Sequence, residues 1–418
     1  MPYQRPENSL FPPRFRQAGD YLFRTRSIAI RPWMFGALAV SFLFGLLTVK
    51  PGDSRLHDVS GTVSGAAGVT LSLGGGVTQS ALTDSGGGSG LTGLADGEYG
   101  VRPSDTGFAF LPARSNMPLD DANVTSQDFV TYAMKTFSGV TTNTLRGVWG
   151  SAANDVWAVG DGGTVLRWQG KAWSSRFTSG TSNALFSLWG SSSNNVWSVG
   201  AGGTIIHWDG RVWSESTSGT TRTLRAVWGS SANDVWAVGD LGTIVRWNGS
   251  AWSCTTCPAI IMNRYLFGLW GTSADNIWTA AQDEVQVALF HWDGKSWSEM
   301  FVPGAATGQS GGVWGSSFDD VWTVGWGNPG IAHWDGSGWS GLISSSISGT
   351  QNALNAVWGT SSKDLWVVGD AGTVLHRNGR AWSNLSTTTL SALNSVWGSS
   401  SKDIWAVGAG GTIIHLYH

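Results

Sequence analysis

The sequence predicts an all-β chain: a seven-bladed β-propeller carried behind a small N-terminal β-sandwich, with one N-terminal transmembrane helix. Three observations predict it. Seven Trp-Gly pairs recur at near-constant spacing. Gly (59) and Trp (27) are abundant while charged residues make up only 13% of the 418 residues. The one long uncharged apolar run lies near the N-terminus, directly behind a cluster of arginines. So much glycine with so few helix-favouring charged residues suits many short strands joined by tight turns rather than long helices. The net charge of −3 offers no basic face for nucleic acid, so no nucleic-acid partner is expected.

The Trp-Gly markers stand at Trp149, Trp189, Trp228, Trp270, Trp314, Trp358 and Trp397, at intervals of 40, 39, 42, 44, 44 and 39 residues. Self-similarity at this period is the mark of a repeat fold. The third unit, Leu224 to Ser253, divides into four strands: Leu224–Trp228, Val235–Val238, Thr243–Trp247 and one starting near Trp252. Ser230 to Asp234 and Gly239-Asp240-Leu241-Gly242 supply the turns. Asn248-Gly249 reads as a type I′ hairpin, with Asp209-Gly210, Asp293-Gly294 and Asp335-Gly336 in its place elsewhere. Four antiparallel strands per unit make one propeller blade, and seven units make a ring.

The seventh unit stops at His418 after its third strand. Counting back from Leu145 places Ala133–Phe137 where Val212–Ser216 stands before Leu224, so residues 133–137 are expected to close the ring as its missing outer strand. Of the tryptophans, only Trp33 and Trp326 fall outside the repeat register, and the rest are expected mainly as packing between blades. A sugar-stacking role for a few exposed ones is the alternative.

The VWGSS…DVWAVG…GT…HWDG…W pattern over residues 133–418 resembles bacterial exported propellers of the BNR/Asp-box-like and YVTN-like groups. The Asp-box itself is matched imperfectly, because Asp209-Gly210 reaches Trp213 with one residue too few. WD40 repeats are a poorer match, lacking a Gly-His pair ahead of the Trp-Asp.

Residues 57–132 alternate as strands separated by Gly and Asp turns. Val59-Ser60-Gly61-Thr62-Val63, Gly93 to Tyr99 and Gly107-Phe108-Ala109-Phe110 resemble the carboxypeptidase-regulatory-like (CnaB- or prealbumin-like) β-sandwich. Gly88-Ser89-Gly90 departs from that family, which has aromatics there. The resemblance implies a spacer or adhesive module without chemistry.

Residues 1–31 carry six arginines against Glu7 and Asp20, a basic segment expected on the cytoplasmic side. Trp33 to Val49 holds no charge and would span roughly 26 Å as a helix, near the thickness of a bilayer core. Residues 32–50 are therefore expected as a signal anchor, with residues 51–418 outside the cytoplasm, in the periplasm or at the cell surface. A cleaved signal peptide is the rival reading, although Leu47-Thr48-Val49-Lys50 is a poor cleavage site.

Candidate chemistry is sparse. His207, His291, His333, His376 and His415 share one third-strand position, with Arg167 and Arg246 in two other units. One residue per blade on a non-inner strand cannot converge on a metal. Asp155, Asp234, Asp275, Asp320, Asp364 and Asp403 read as turn formers, too few per loop for calcium. No metal and no cofactor are expected. Glu215, Glu284 and Glu299 lie outside the repeat register, and Tyr265 and Tyr417 are the propeller's only tyrosines, which is poor material for a glycosidase. Cys254 and Cys257 are expected to form a local disulfide in an exported chain. The apolar loop Pro258–Asn263 reads as a contact surface.

These readings lead to a non-catalytic, membrane-anchored binding or scaffold propeller whose partner is an unidentified protein or glycan of the cell envelope. A lectin-like propeller is the alternative, and a sialidase-like glycoside hydrolase a distant third.

Overall fold

The computed structural model describes residues 56–254, 260–282, 287–303, 308–327, 330–342, 352–379 and 381–418. The predicted cytoplasmic segment 1–31 and anchor 32–50 lie outside them. Among the described residues no helix is long and apolar enough to cross a membrane.

The first eight strands are β1 (His57–Ser64), β2 (Thr70–Gly75), β3 (Gln79–Leu82), β4 (Gly88–Leu94), β5 (Gly97–Ser104), β6 (Phe108–Leu111), β7 (Ser115–Leu119) and β8 (Phe129–Phe137). One sheet runs β3-β2-β5-β7, and the other pairs β4 with β1 and β1 with β8, β6 adding to β8. Alternate residues turn inward, as a two-residue period demands. Val59, Val63, Leu71, Leu73, Tyr99 and Phe110 meet Phe129 in one buried core. The glycine-rich start of β4 still pairs with β1, Gly88 opposite Thr62 and Gly90 opposite Ser60, but β4 sends only Leu91 and Leu94 into that core.

Six sheets of four consecutive strands follow. In unit three the strands are Leu224–Ser231, Asp234–Gly239, Ile244–Trp247 and Trp252–Cys254. The first two run further than expected, because an irregularity between Gly229 and Ser231 carries the ladder on to the pair Ser231 and Asp234. The hairpin also differs from the expected two-residue type I′ turn. Trp247 pairs with Trp252, leaving a four-residue connection in which Gly249 (φ 92°) takes the left-handed conformation and Asn248 does not. The Asn248 side chain explains this: its Oδ1 accepts from the Ser250 and Ala251 N–H groups and organises the loop itself.

The seventh repeat supplies only Leu393–Ser400, Asp403–Gly408 and Ile413–Tyr417. The fourth place is filled by the C-terminal half of β8, with Ala133 opposite Tyr417 and Phe137 opposite Ile413. The N-terminal half of β8 pairs with β1 and β6, so one unbroken strand belongs to both bodies. A second seam reinforces this. The Ala113 N–H donates to Asn384 O (2.8 Å) and the Phe110 N–H to Ser386 Oγ (2.9 Å), tying β6 to unit six.

The first strands stand side by side around the centre, unit one beside unit two and so on, and unit seven beside unit one. The Trp-Gly pair explains how they fit. Each Trp reaches into the next unit and lies over its Trp-Gly glycine: Trp149 over Gly190, Trp189 over Gly229, and finally Trp397 over Gly150. A Cβ on any of the seven glycines would come within 2.6–3.1 Å of that indole. The glycine is thus required for space.

A second layer of indoles packs further out. The second-strand Trp157 of unit one is held by Trp208 and Trp213 of unit two (5.0 and 5.2 Å between ring centroids). Trp197 meets Trp247 and Trp252, and Trp405 meets Trp168 and Trp173, in the same way. Between units six and seven the partner is Tyr132 of β8, edge-on to Trp366 at 5.2 Å. Burial, with the Asp364 charge adding to it, raises the Tyr132 hydroxyl to a pKa of about 12.

Gly229→Ala is expected to destabilise the protein by about 1–3 kcal/mol through overpacking against Trp189. Trp189→Phe introduced with it should recover part of the loss. A urea-unfolding double-mutant cycle measures that coupling, and strict additivity would show that the two residues do not press on each other.

Candidate functional site

The residues with the most chemical potential, the third-strand histidines and second-strand aspartates, are brought together in pairs within each unit. Ladder register is the cause, since it sets each third-strand His or Arg directly opposite a second-strand Trp: Arg167 opposite Trp157, His207 opposite Trp197, His415 opposite Trp405. The planar side chain lies on the indole, at 4.1 Å for His207 and 3.9 Å for His415, while the Arg167 guanidinium sits 4.6 Å above Trp157. Its tip then meets the residue that opens the second strand.

That residue is chosen by its partner. Arg167 and Arg246 each bond an aspartate, Asp155 and Asp234 (both 2.6 Å). His333, His376 and His415 bond Asp320, Asp364 and Asp403 (2.7, 2.7 and 2.5 Å). His207 and His291 donate through Nε2 to the amide oxygens of Asn195 and Asn276 (2.5 and 2.6 Å). A Ser or Thr four residues before each Asp or Asn completes the set, as Ser151 does on Asp155 and Thr272 on Asn276. The expectation that these aspartates are turn formers is therefore corrected for five of them. Asp155, Asp234, Asp320, Asp364 and Asp403 accept side-chain hydrogen bonds at the strand start, while Asp275 stays in the turn and leaves its place to Asn276.

The electrostatics follow the pairing. Burial pushes the Asp320, Asp364 and Asp403 carboxyls up, but hydrogen bonds from the histidine and the Ser or Thr outweigh it and hold all three below their ordinary value. Burial lowers His207 and His291, which face neutral amides. Their neutral form suits the single Nε2–H that the asparagine oxygen accepts. Each of these side chains is committed to a repeated structural cluster, and among the described residues no three potential metal ligands converge.

The other candidates stay apart. Glu215 ends the outer strand of unit two, and Glu299, on the outer strand of unit four, pairs with Arg264 (3.3 Å). Glu284 and Cys257 lie outside the described residues, and Cys254 is an exposed strand end. In the apolar loop Ile261 is buried, while Ile260, Met262 and Asn263 of its described residues are exposed. Every tryptophan whose burial is described is buried or half-buried, and none of these stands free as a sugar platform.

What sequence inspection missed is the mouth of the central channel. A cavity of about 390 Å³ lies between the first strands, lined by Val148, Leu188, Leu269, Val313 and Val396. At its rim stands the residue after the first-strand leucine, and this position breaks the repeat: Arg146, Phe186, Arg225 and Phe267 in units one to four, Asn355 and Asn394 in units six and seven. Arg146 packs on Phe186 (5.2 Å), and Arg225 packs on both Phe186 (5.8 Å) and Phe267 (5.0 Å). Asp161 and Asp240, from the 3-10 turns behind, each hold one guanidinium through Nε and Nη2. The available signal was the contrast between this variable position and its constant neighbours.

Asp155→Asn strands the half-buried Arg167 charge and is expected to cost about 2–3 kcal/mol. Asp403→Asn recreates the His–Asn pairing of units two and four and is expected to cost about 1 kcal/mol or less. Thermal and urea unfolding at pH 7 rank the two. The depressed carboxyls contribute stability above the unfolded aspartate value and lose it as pH falls through their lower folded values. Urea midpoints should therefore drop below about pH 4, and drop less in a D320N/D364N/D403N variant.

No protein-family model matches the chain, and no curated protein matches it. Solved structures do. A YCF48 structure bound to a D1 peptide aligns with a TM-score of 0.55 at 16% identity, over 68% of this chain and 95% of that one. A streptogramin B lyase aligns at 0.56 and 14% identity, over 68% and 97%. The WD40 β-propeller domain of Doa1 aligns at 0.55 and 14%, over 68% and 96%. At such identities the likeness speaks for the fold, and with the repeated four-stranded sheets it makes the described part of this chain all-β, with a β-propeller fold.

Proposed function

We propose that this chain is a non-catalytic interaction protein whose seven-bladed ring offers its central mouth to a protein partner. The observation that carries the reading is the break in the repeat at the mouth. The His, Arg and Asp groups that could do chemistry are tied into structural clusters, whereas Arg146, Phe186, Arg225 and Phe267 form the half-exposed, non-repeating surface. The fold alone does not decide between binding and catalysis, since the similar structures include a lyase as well as a peptide-bound propeller. The burial or half-burial of every tryptophan whose exposure is described weighs against the lectin-like alternative.

In this reading residues 32–50 anchor the chain in a membrane and residues 51–418 face away from the cytoplasm. The two-sheet body 57–132 acts as a carboxypeptidase-regulatory-like spacer, and residues 133–418 form the ring, closed by 133–137. Support comes from the basic N-terminus, the uncharged run and the strand shared by both bodies. A spacer joined through a shared strand would hold the ring in one orientation relative to the spacer.

Two measurements test this. Protease added to intact cells after outer-envelope permeabilisation should degrade residues 51–418 and spare an N-terminal tag; a fully protected chain, or a soluble mature form starting near residue 50, would overturn the anchor. The full chain should capture a partner from envelope extract, and a Phe186→Ala/Arg225→Ala variant with an unchanged melting temperature should not. Turnover of any glycoside by the purified chain would overturn the non-catalytic reading.

A further inference from the structure

The two sides of the mouth differ in what they leave unsatisfied. On one side the rim is closed by the protein itself. Asn394 donates to the main-chain oxygen of Leu145 in the next unit (2.8 Å), and Asn355 to that of Leu393 (2.9 Å). At Gly311 a Cβ would lie 2.8 Å from Leu354 O, so no side chain fits there. On the other side, Phe186 has no donor to offer, and Arg146 and Arg225 direct Nε and Nη2 backward to Asp161 and Asp240. This arc closes no neighbour: its planes stack on one another and leave their edges at the mouth.

Its chemistry is specific. Guanidinium and phenyl planes alternate from Arg146 to Phe267, and the exposed ring of Tyr265 extends the row, 5.9 Å from Arg225. The edges of such a row favour the face of another planar group laid across them, because phenyl edges and guanidinium N–H edges are both positive and attract the negative face of a ring. The two aspartates cancel the two guanidinium charges, so the arc has no surplus positive charge for phosphate or for an acidic segment. Each Arg–Asp pair leaves Nη1 outside it, free of the carboxylate and suited to a neutral oxygen acceptor. Beneath the arc the channel has a mixed lining, Val148, Leu188 and Val396 beside Ser187 and Ser395, and is large enough for one or two side chains.

Planar rings together with neutral carbonyl oxygens are what an extended peptide offers. We propose that the Arg146–Phe186–Arg225–Phe267 arc is a binding site for an extended, uncharged peptide segment carrying an aromatic side chain. The aromatic ring lies across Phe186 and Arg225, and peptide carbonyls accept from the Arg146 and Arg225 Nη1 groups. This rests on the interaction reading above and specifies its ligand.

The test uses the full chain in detergent against an array of N-acetylated, C-amidated octapeptides, Gly/Ser-rich with Trp, Phe, Leu, Asp or Lys at the two central positions. The aromatic peptides should bind at least tenfold more tightly than the Asp and Lys peptides. Raising salt from 50 to 500 mM should change that affinity less than threefold. Phe186→Ala and Arg225→Ala should each weaken binding at least tenfold, whereas Arg211→Ala on the exposed hairpin of unit two should not. Phe186→Leu, which keeps the bulk and loses the ring, guards against misfolding and should also weaken binding, with melting temperature unchanged. Preference for Asp peptides, a steep loss with salt, or undiminished binding in folded arc variants would overturn the proposal. So would failure of every peptide. If the chain still captured an envelope partner and only arc variants lost it, the interaction reading would stand and the peptide chemistry would fall.

Discussion

The ring depends on an indole lying over a glycine. At each of seven junctions a first-strand tryptophan crosses to the neighbouring unit and covers a residue that can carry nothing larger than hydrogen. Trp and Gly must therefore be adjacent in sequence, the Gly receiving from the unit before and the Trp giving to the unit after. Because the interlock sits in the innermost strands, the outer connections are free to vary, and unit spacing drifts from 39 to 44 residues without disturbing it. The second-strand tryptophans, held between the outer strands of the next unit, repeat the same nearest-neighbour logic further from the axis.

A ring built on neighbour contacts has one special junction, where the chain ends meet. Here Met134 stands opposite Leu416, the place where units one to five pair two tryptophans, and Tyr132 takes over the packing on Trp366. The strand that closes the ring also completes the N-terminal core through Phe129. Unfolding of either body must therefore disturb β8, which couples them more tightly than a flexible linker would.

The same economy governs polar groups. Within a unit, Trp, His or Arg, Asp or Asn, and Ser or Thr form one cluster in which every member contacts another. Arginine occurs only with aspartate, while histidine accepts either aspartate or asparagine. A guanidinium is charged at every accessible pH and needs a carboxylate when half-buried, whereas an imidazole can remain neutral. The rule explains why the third-strand position looks irregular in sequence although its structural role is constant. The mouth is the reverse case: equivalent positions take different roles, because some rim residues cap the next unit and others stack on one another.

Local chemistry in the sequence determined the repeat, the four strands per unit, the turn positions and the packing role of the tryptophans, since two-residue alternation and Gly, Asn and Asp turns act over a few residues. It also placed the histidines and aspartates in register, but read the aspartates as turn formers, because their partners lie across a hairpin. The loop chemistry of Asn248 was equally hidden, since a side-chain acceptor organises a four-residue connection that the Asn-Gly dipeptide alone suggests to be shorter. Only the tertiary structure decided that Trp149 meets Gly190 and that Arg146, Phe186, Arg225 and Phe267 form one surface. Those residues stand some forty positions apart, and what brings them together is the curvature of a closed ring, a property of the whole set of units and of no single one.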